Sequence, residues 1–349
     1  MTDTLPDTTS DLSNLLLDDG PAAITLKQAL KPAGDEVVFP PTYANPNGEK
    51  GKPVYNIDRF DHGGKNGSIC VIDSIPSQGN RIEPAFATIA GGKLVPQIVV
   101  TVEKTGEQVN LLDAGHRAAD AIVRFSTLGP ELADAFKARL KGDSLPLAKI
   151  APTSLVFGVW DSRDSGAKVP RLVNSIIRAY DVDALRRSAQ YVPAIADYAE
   201  AGVDKDTVTK LSEHGMAAVP ATYGLGGVIA RSGIYREASL NLAALRDITT
   251  TDPEMADKLR RYVLGLALVA ITYFDGRTLN LRQGCQLVGV PDEPMTRKLV
   301  NADGTEQELE LTRDAAIACA QAAAEAFGVR EDRLDERFDL KLAKAAAKK

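Results

Sequence analysis

The chain has 349 residues, 44% hydrophobic and 25% charged, which is the balance of a soluble globular protein with room for one large domain or two ordinary ones. Its longest apolar stretch, residues 263–271, falls well short of the roughly 18 residues a membrane span needs. Cys70, Cys285 and Cys319 are odd in number and widely spaced, which excludes a disulfide framework or zinc site of recognisable pattern and fits buried thiols in a reducing cytosol.

Residues 1–20 hold five aspartates and no basic residue, and are expected to form an acidic, flexible tail without the features of a signal or transit peptide, in keeping with a cytoplasmic protein. The net charge of −6 argues against a nucleic-acid partner, but without this segment the body is near −1, and a near-neutral body can carry a basic groove. Residues 22–30 predict a short helix or strand, stopped by Pro32 and Gly34. Residues 39–68 are rich in Gly, Pro and Asn and predict long loops between short strands. Residues 68–75 predict a strand with Ile69, Val71 and Ile75 on one face. Residues 97–102 and 107–112 predict a hairpin turned by Lys104, Thr105 and Gly106. Residues 113–128 have helical spacing, ended by Gly129 and Pro130.

Residues 155–160 predict a strand, with 169–180 continuing it beyond a polar loop. Residues 184–216 predict an inserted, mostly helical segment, residues 217–227 a Gly-rich extended stretch, and residues 228–240 one long strand. Asp252 as cap, Pro253 in the first turn and the stripe Met255, Leu259, Tyr262, Val263 and Leu266 predict a helix. Residues 312–327 predict an Ala-rich helix closed by Gly328, followed by a basic, frayed tail at 336–349. Strands mixed with helices, and hairpins in place of regular strand–helix alternation, predict an α+β fold. A dinucleotide-binding fold would need a Gly-rich turn opening a helix after an early strand, and the sequence has none.

Bond-making chemistry is sparse. His62, His116 and His214 are far apart, and neither a Walker-type phosphate loop nor a G-x-S-x-G elbow occurs, so neither metal nor cofactor is expected. Asp73, Asp113 and Asp161 are the catalytic candidates that remain, although an aspartate at a strand end is more often a cap or turn residue.

Cations stand out instead. Residues 154–180 carry Arg163, Lys168 and Arg171 on a connection between two apolar runs, beside the only tryptophan, Trp160, which is expected to be a core anchor. Arg81 follows the strand at 68–75. His116, Arg117 and Arg124 lie in the helical stretch, where the two arginines share a face; the same spacing also allows i,i+4 pairs of Asp113 with Arg117 and Asp120 with Arg124. Arg231 and Arg236 lie in a Gly-flanked segment and Arg282 in Leu281–Cys285. Arginine supplies bidentate phosphate contacts and lysine a point charge. Aromatic residues are only 5%, fewer than a stacking-based RNA binder shows.

At these residues the sequence resembles a known family. NRIE at 80–83, GHRAADA at 115–121, SLVFGVWDSR at 154–163, KVPR at 168–171, YREASLNLAALR at 235–246, LRRYVLGLALV at 259–269 and LRQGC at 281–285 are similar to the backbone ("Cas seven", RAMP superfamily) subunits of type I-U, or I-G, CRISPR Cascade complexes. The resemblance covers residues 68–290. It implies a modified RRM-like (ferredoxin-like) palm with helical and β-hairpin insertions, occupying residues 21–335 with an inserted segment at about 184–227. It implies a non-enzymatic protein that binds guide RNA (crRNA) by its backbone. Copies would polymerise head to tail and, with other Cascade subunits, present the guide for pairing with target DNA in antiviral defence. A thumb hairpin is expected within 184–227 or at the loop 161–170. The alternatives are a RAMP-type endoribonuclease using Asp73 or Asp161, and a structural oligomer without a nucleic-acid partner.

Overall fold

A computed structural model describes residues 14–45, 52–62, 65–195, 198, 200–210, 214 and 219–346. In chain order its principal elements are strand β1 (Ala23–Pro32), hairpin β2 (Ile57–His62) and β3 (Lys65–Asp73), helix α1 (Ile75–Ile82), strand β4 (Val173–Tyr180), hairpin β5 (Val182–Tyr191) and β6 (Val219–Ala230), strand β7 (Ile234–Asn241) and helix α2 (Pro253–Thr272). Strands β8 (Leu279–Arg282), β9 (Cys285–Gly289), β10 (Thr296–Val300) and β11 (Glu306–Glu308), then helix α3 (Arg313–Phe327), follow. The main sheet is antiparallel, in the order β8-β9-β1-β7-β4-β3-β2, with β10 also pairing β1 and carrying β11. The fold is thus mixed α+β, as expected.

Strict alternation sets the two faces of this sheet. Val173, Ser175, Ile177 and Ala179 of β4, with Ile234, Arg236, Ala238 and Leu240 of β7, are buried. They pack beneath α1 and α2: Ser175 donates to Gln78 of α1, and Arg236 donates to the Ile271 carbonyl of α2. The opposite face is half-exposed and carries Lys27, Arg178, Tyr180, Tyr235 and Glu237.

Local chemistry explains the helices. In α1, the Ser74 side chain accepts from the Ser77 amide and Pro76 sits in the first turn. Asp252 caps α2 by accepting from the Glu254 and Met255 amides, and from Tyr262 to Thr272 every residue is buried, as befits a core helix. Thr312 caps α3 and Gly328, at φ +69°, closes it. These two helices meet at Gly265, where an added Cβ would lie 2.7 Å from the Ala320 Cα, while Tyr262 and Phe327 stack with ring centroids 4.4 Å apart. Because backbone cannot swing aside, Gly265→Ala is expected to cost about 1–3 kcal/mol, read as a lowered midpoint in thermal denaturation. Cys70 and Cys285 are buried free thiols, and burial pushes Cys70 up to about 12. No described helix is long and apolar enough to cross a membrane.

Several sequence expectations are corrected. The stretch 113–128 is not one helix. It is two 3-10 turns, Leu111–Asp113 and Arg117–Ala119, and one α turn, Ala121–Arg124, because Asp120 turns extended and caps the Ile122 amide. Arg117 and Arg124 therefore do not share a helical face. Residues 153–157 form a helical turn, and the strand expected at 155–160 shrinks to Val159–Trp160 beyond Gly158, at φ +76°; a short apolar run does not tell a buried helix from a strand. On β3 the buried apolar residues are Cys70 and Ile72, not Ile69 and Val71.

The segment expected to be mostly helical at 184–216 starts as strand β5, with a short helix only at Lys205–Lys210 among the described residues. Register shifts in its pairing with β6, and exposure of most of its side chains, remove the period-two signal. The strand expected at 228–240 is broken at residues 231–233, where Gly233 takes φ +89°. Residues 1–13 of the acidic tail lie outside the described residues. From Asn14 the chain is anchored, with Leu15 buried and its carbonyl accepting from Arg246. Leu340–Ala346 is helical with no buried residue, and residues 347–349 lie outside the described set.

Candidate nucleic-acid interface

Asp73, at the end of β3, is the hub of the first cluster. It is buried, and its carboxylate accepts from Ser77 Oγ at 2.8 Å, Gln78 Nε2 at 2.5 Å, Arg81 Nε at 3.0 Å and an Arg282 guanidinium nitrogen at 3.1 Å. Arg81 also donates to the Leu281 carbonyl and Arg282 to that of Phe39, so both retain only partial exposure. The network continues inward: Gln78 accepts from Ser175, whose hydroxyl accepts from Arg236 Nε at 3.2 Å. Arg236 is fully buried, donates also to Gln28 and Ile271, and lies over the Phe274 ring. Burial draws its pKa down to about 10, with Asp275 opposing the fall, which still leaves it charged at neutral pH.

A second cluster surrounds Glu83. Arg117, buried and at φ +53°, places Nε 2.6 Å from the Glu83 carboxylate and donates to Asn80 Oδ1 and the Gly158 carbonyl. Gly79 leaves the space: an added Cβ would sit 3.1 Å from the Arg117 guanidinium. Burial pushes the Glu83 carboxyl up to about 7, against the opposing pull of Arg117, Thr153 and Arg171. Arg171 is half-buried, donates to the Phe157 carbonyl at 2.7 Å, and is lowered by burial and by Arg117. Asn80, Arg81 and Glu83 are thus cross-links between distant segments.

The third cluster builds a surface feature. Val159–Trp160 pairs with Lys168–Val169 to form a small hairpin. Its turn is organised by buried Asp161, which takes an ion pair from Arg124 and hydrogen bonds from the Ser165 amide at 2.9 Å and hydroxyl at 2.7 Å. Arg163 and Lys168 are exposed, and His116 is exposed on a neighbouring loop. Trp160 is 59% exposed, so the core anchor expected from the sequence is corrected: Val159 points in and its neighbour points out.

A fourth cluster lies at the opposite end of β4, where β5 and β6 leave the sheet. Arg231 is exposed and paired with Asp183. At the hairpin's base a cavity of about 460 Å³ is lined by Phe39, Tyr55, Leu225, Arg282 and Arg187, whose guanidinium lies over Phe39. Sequence reasoning missed Arg186 and Arg187, although the adjacent pair of arginines in an inserted segment was the available signal. It also missed Lys27, whose ammonium lies 4.6 Å from the Tyr235 ring on the open sheet face. Among the described residues no group of three or more His, Cys, Asp or Glu side chains is placed to hold a metal ion.

Residues 24–184 match the model of a family described as CRISPR-associated protein GSU0053. The matched span runs from β1 to the start of β5. The span includes Arg81, His116, Arg117, Arg124, Arg163, Lys168 and Arg171; Arg231, Arg236 and Arg282 fall beyond it. Among solved structures the chain is similar to a component titled "CRISPR RNA-guided surveillance complex, pre-nicking", at 12% identity, covering 93% of this chain and 99% of that one with a TM-score of 0.36. A likeness of that size carries no structural argument. Comparison with curated proteins gives no match.

Proposed function

We propose that this chain is a guide-RNA-binding backbone subunit of a type I-U/I-G Cascade complex. In this reading it polymerises head to tail along crRNA in the cytoplasm, joins other Cascade subunits, and leaves the guide's base edges free to pair with target DNA. The observation that carries it is the layout of the sheet. The core strands run β9-β1-β7-β4 with α1 and α2 on one face, the order of an RRM-like (ferredoxin-like) palm, and the other face stays open. Hairpin β5–β6 is inserted between strands β4 and β7 and is the candidate thumb, spanning the insertion expected at about 184–227. The basic hairpin with Arg163 and Lys168 lies at the other end of β4, roughly 25 Å away for an eight-residue strand. Cations at both ends of an open sheet suit a backbone tracked across it.

A non-catalytic role fits the two aspartates. Asp73 and Asp161 are buried, and their oxygens are taken up by guanidinium, hydroxyl, amide and side-chain amide donors. The test is fluorescence polarisation with CRISPR repeat–spacer RNA over a salt series. Affinity is expected to fall with a log–log slope of about −0.7 for each phosphate neutralised. A flat salt response, or RNA cutting that is lost in Asp73→Ala or Asp161→Ala, overturns it.

A further inference from the structure

Trp160 lends its backbone to the small hairpin, but its indole holds none of the clusters described above together. It is the only tryptophan in the chain, and its exposure is built rather than accidental. Gly158, at φ +76°, turns the chain so sharply that an added Cβ would lie 3.1 Å from the Arg171 backbone. Val159 then goes inward and Trp160 outward, paired across the hairpin with Lys168. The turn beyond is pinned: the Asp161 amide donates to the Ala167 carbonyl at 2.9 Å, the Gly166 amide donates to the Asp161 carbonyl at 2.8 Å, and Arg124 and Ser165 hold the Asp161 carboxylate. The indole is therefore presented on a fixed support. The Lys168 ammonium lies 4.8 Å from its ring centroid, and Arg163 stands exposed on the same turn with Asp164 as the acidic neighbour.

We propose that Trp160 is a stacking platform for one unpaired nucleobase of a single strand, with Lys168 and Arg163 placed to meet the flanking phosphates. This rests on the reading of the chain as an RNA binder, and adds to it a base-contacting subsite. An apolar protein partner is disfavoured by the same surroundings, because covering the indole would also strip water from two cations. A nucleotide brings both a π-face for the ring and negative charge for the cations. The platform offers no hydrogen-bonding edge to a base, so any base is accepted there.

The sole tryptophan is its own reporter. Full-length protein is titrated with a mixed-sequence single-stranded RNA carrying an end-label, reading label anisotropy and intrinsic tryptophan fluorescence together. A ribose-phosphate strand of equal length without bases is titrated in parallel. Fluorescence is expected to be quenched by the RNA with the same midpoint as the anisotropy, and to change little when the abasic strand binds. Trp160→Ala is expected to weaken RNA binding by about fivefold or more while leaving abasic affinity unchanged, and Trp160→Phe to restore most of the loss. Binding by anisotropy without quenching overturns the platform and leaves the RNA-binding reading standing. No anisotropy change even at low salt overturns both. A fluorescence shift that follows protein concentration without RNA assigns Trp160 to a contact between copies and likewise overturns the platform.

Discussion

Arg117→Ala is expected to destabilise the folded protein by about 3–5 kcal/mol, measured as a lowered denaturation midpoint in urea. Both partners of the Arg117–Glu83 pair are almost wholly out of water, so removing the guanidinium strands a carboxylate in the interior. Asn80 and the Gly158 carbonyl lose their donor in the same step. The loss carries a pH signature. Burial lifts the Glu83 carboxyl from 4.5 to about 7 in the folded state, so between those values the folded protein keeps a proton that the unfolded chain has released. That contribution is fully present below 4.5 and is lost as pH rises through about 7. Without Arg117 the ionised form has lost its main counter-charge, so the variant's deficit is expected to be larger at about pH 8 than at about pH 6. Glu83→Gln placed in the Arg117→Ala background removes the charge and is expected to abolish that pH difference. A deficit under about 1 kcal/mol, independent of pH, would show that the pair does not hold the segments together.

Arg163→Ala combined with Lys168→Ala is expected to act on binding and not on stability. Two exposed cations that neutralise two phosphates contribute about 1.4 to the log–log salt slope on single strands, and their removal weakens RNA binding roughly tenfold or more near 0.1 M salt. The melting temperature is expected to stay put, since neither residue holds the interior. Arg236→Ala is the opposite case. It leaves Ser175, Gln28 and the Ile271 carbonyl without their donor and opens a cavity beneath the sheet, so it is expected to lower stability. A stable Arg236→Ala protein with a reduced salt slope would place that guanidinium on the RNA and refute its interior role.

How much of this could be read beforehand depends on the range of the physics involved. Helices α2 and α3, and the hairpin at 98–110, were readable because caps, stripes and turn residues act within a few positions. The inward orientation of Arg236 was also in reach, since it shares parity with Ile234, Ala238 and Leu240. By contrast, the partners of Arg117, Arg124 and Arg282 lie 34, 37 and 209 positions away, beyond any local pattern. Around Asp73 and Asp161 the donors Ser77, Gln78, Arg81 and Ser165 lie within eight positions, and only Arg282 and Arg124 come from distant segments. Trp160 was misplaced because a two-residue strand is too short to reveal which side faces in.

The sequence by itself determined the kind of protein: an α+β chain whose motifs resemble Cascade backbone subunits, with its positive charge spread over several short segments. Composition and local periodicity suffice for that, because propensity, capping and turn chemistry are short-range. Only the tertiary structure decided which cations are buried and which face water. Burial and a long-range carboxylate turn Arg117 into a cross-link, and burial with a ring of neutral acceptors does the same for Arg236. Exposure on a pinned hairpin leaves Arg163 and Lys168 in water beside an outward-facing Trp160. The same guanidinium is a structural bolt in a low-dielectric interior and a phosphate contact in water, and solvent access is a property of the folded chain alone.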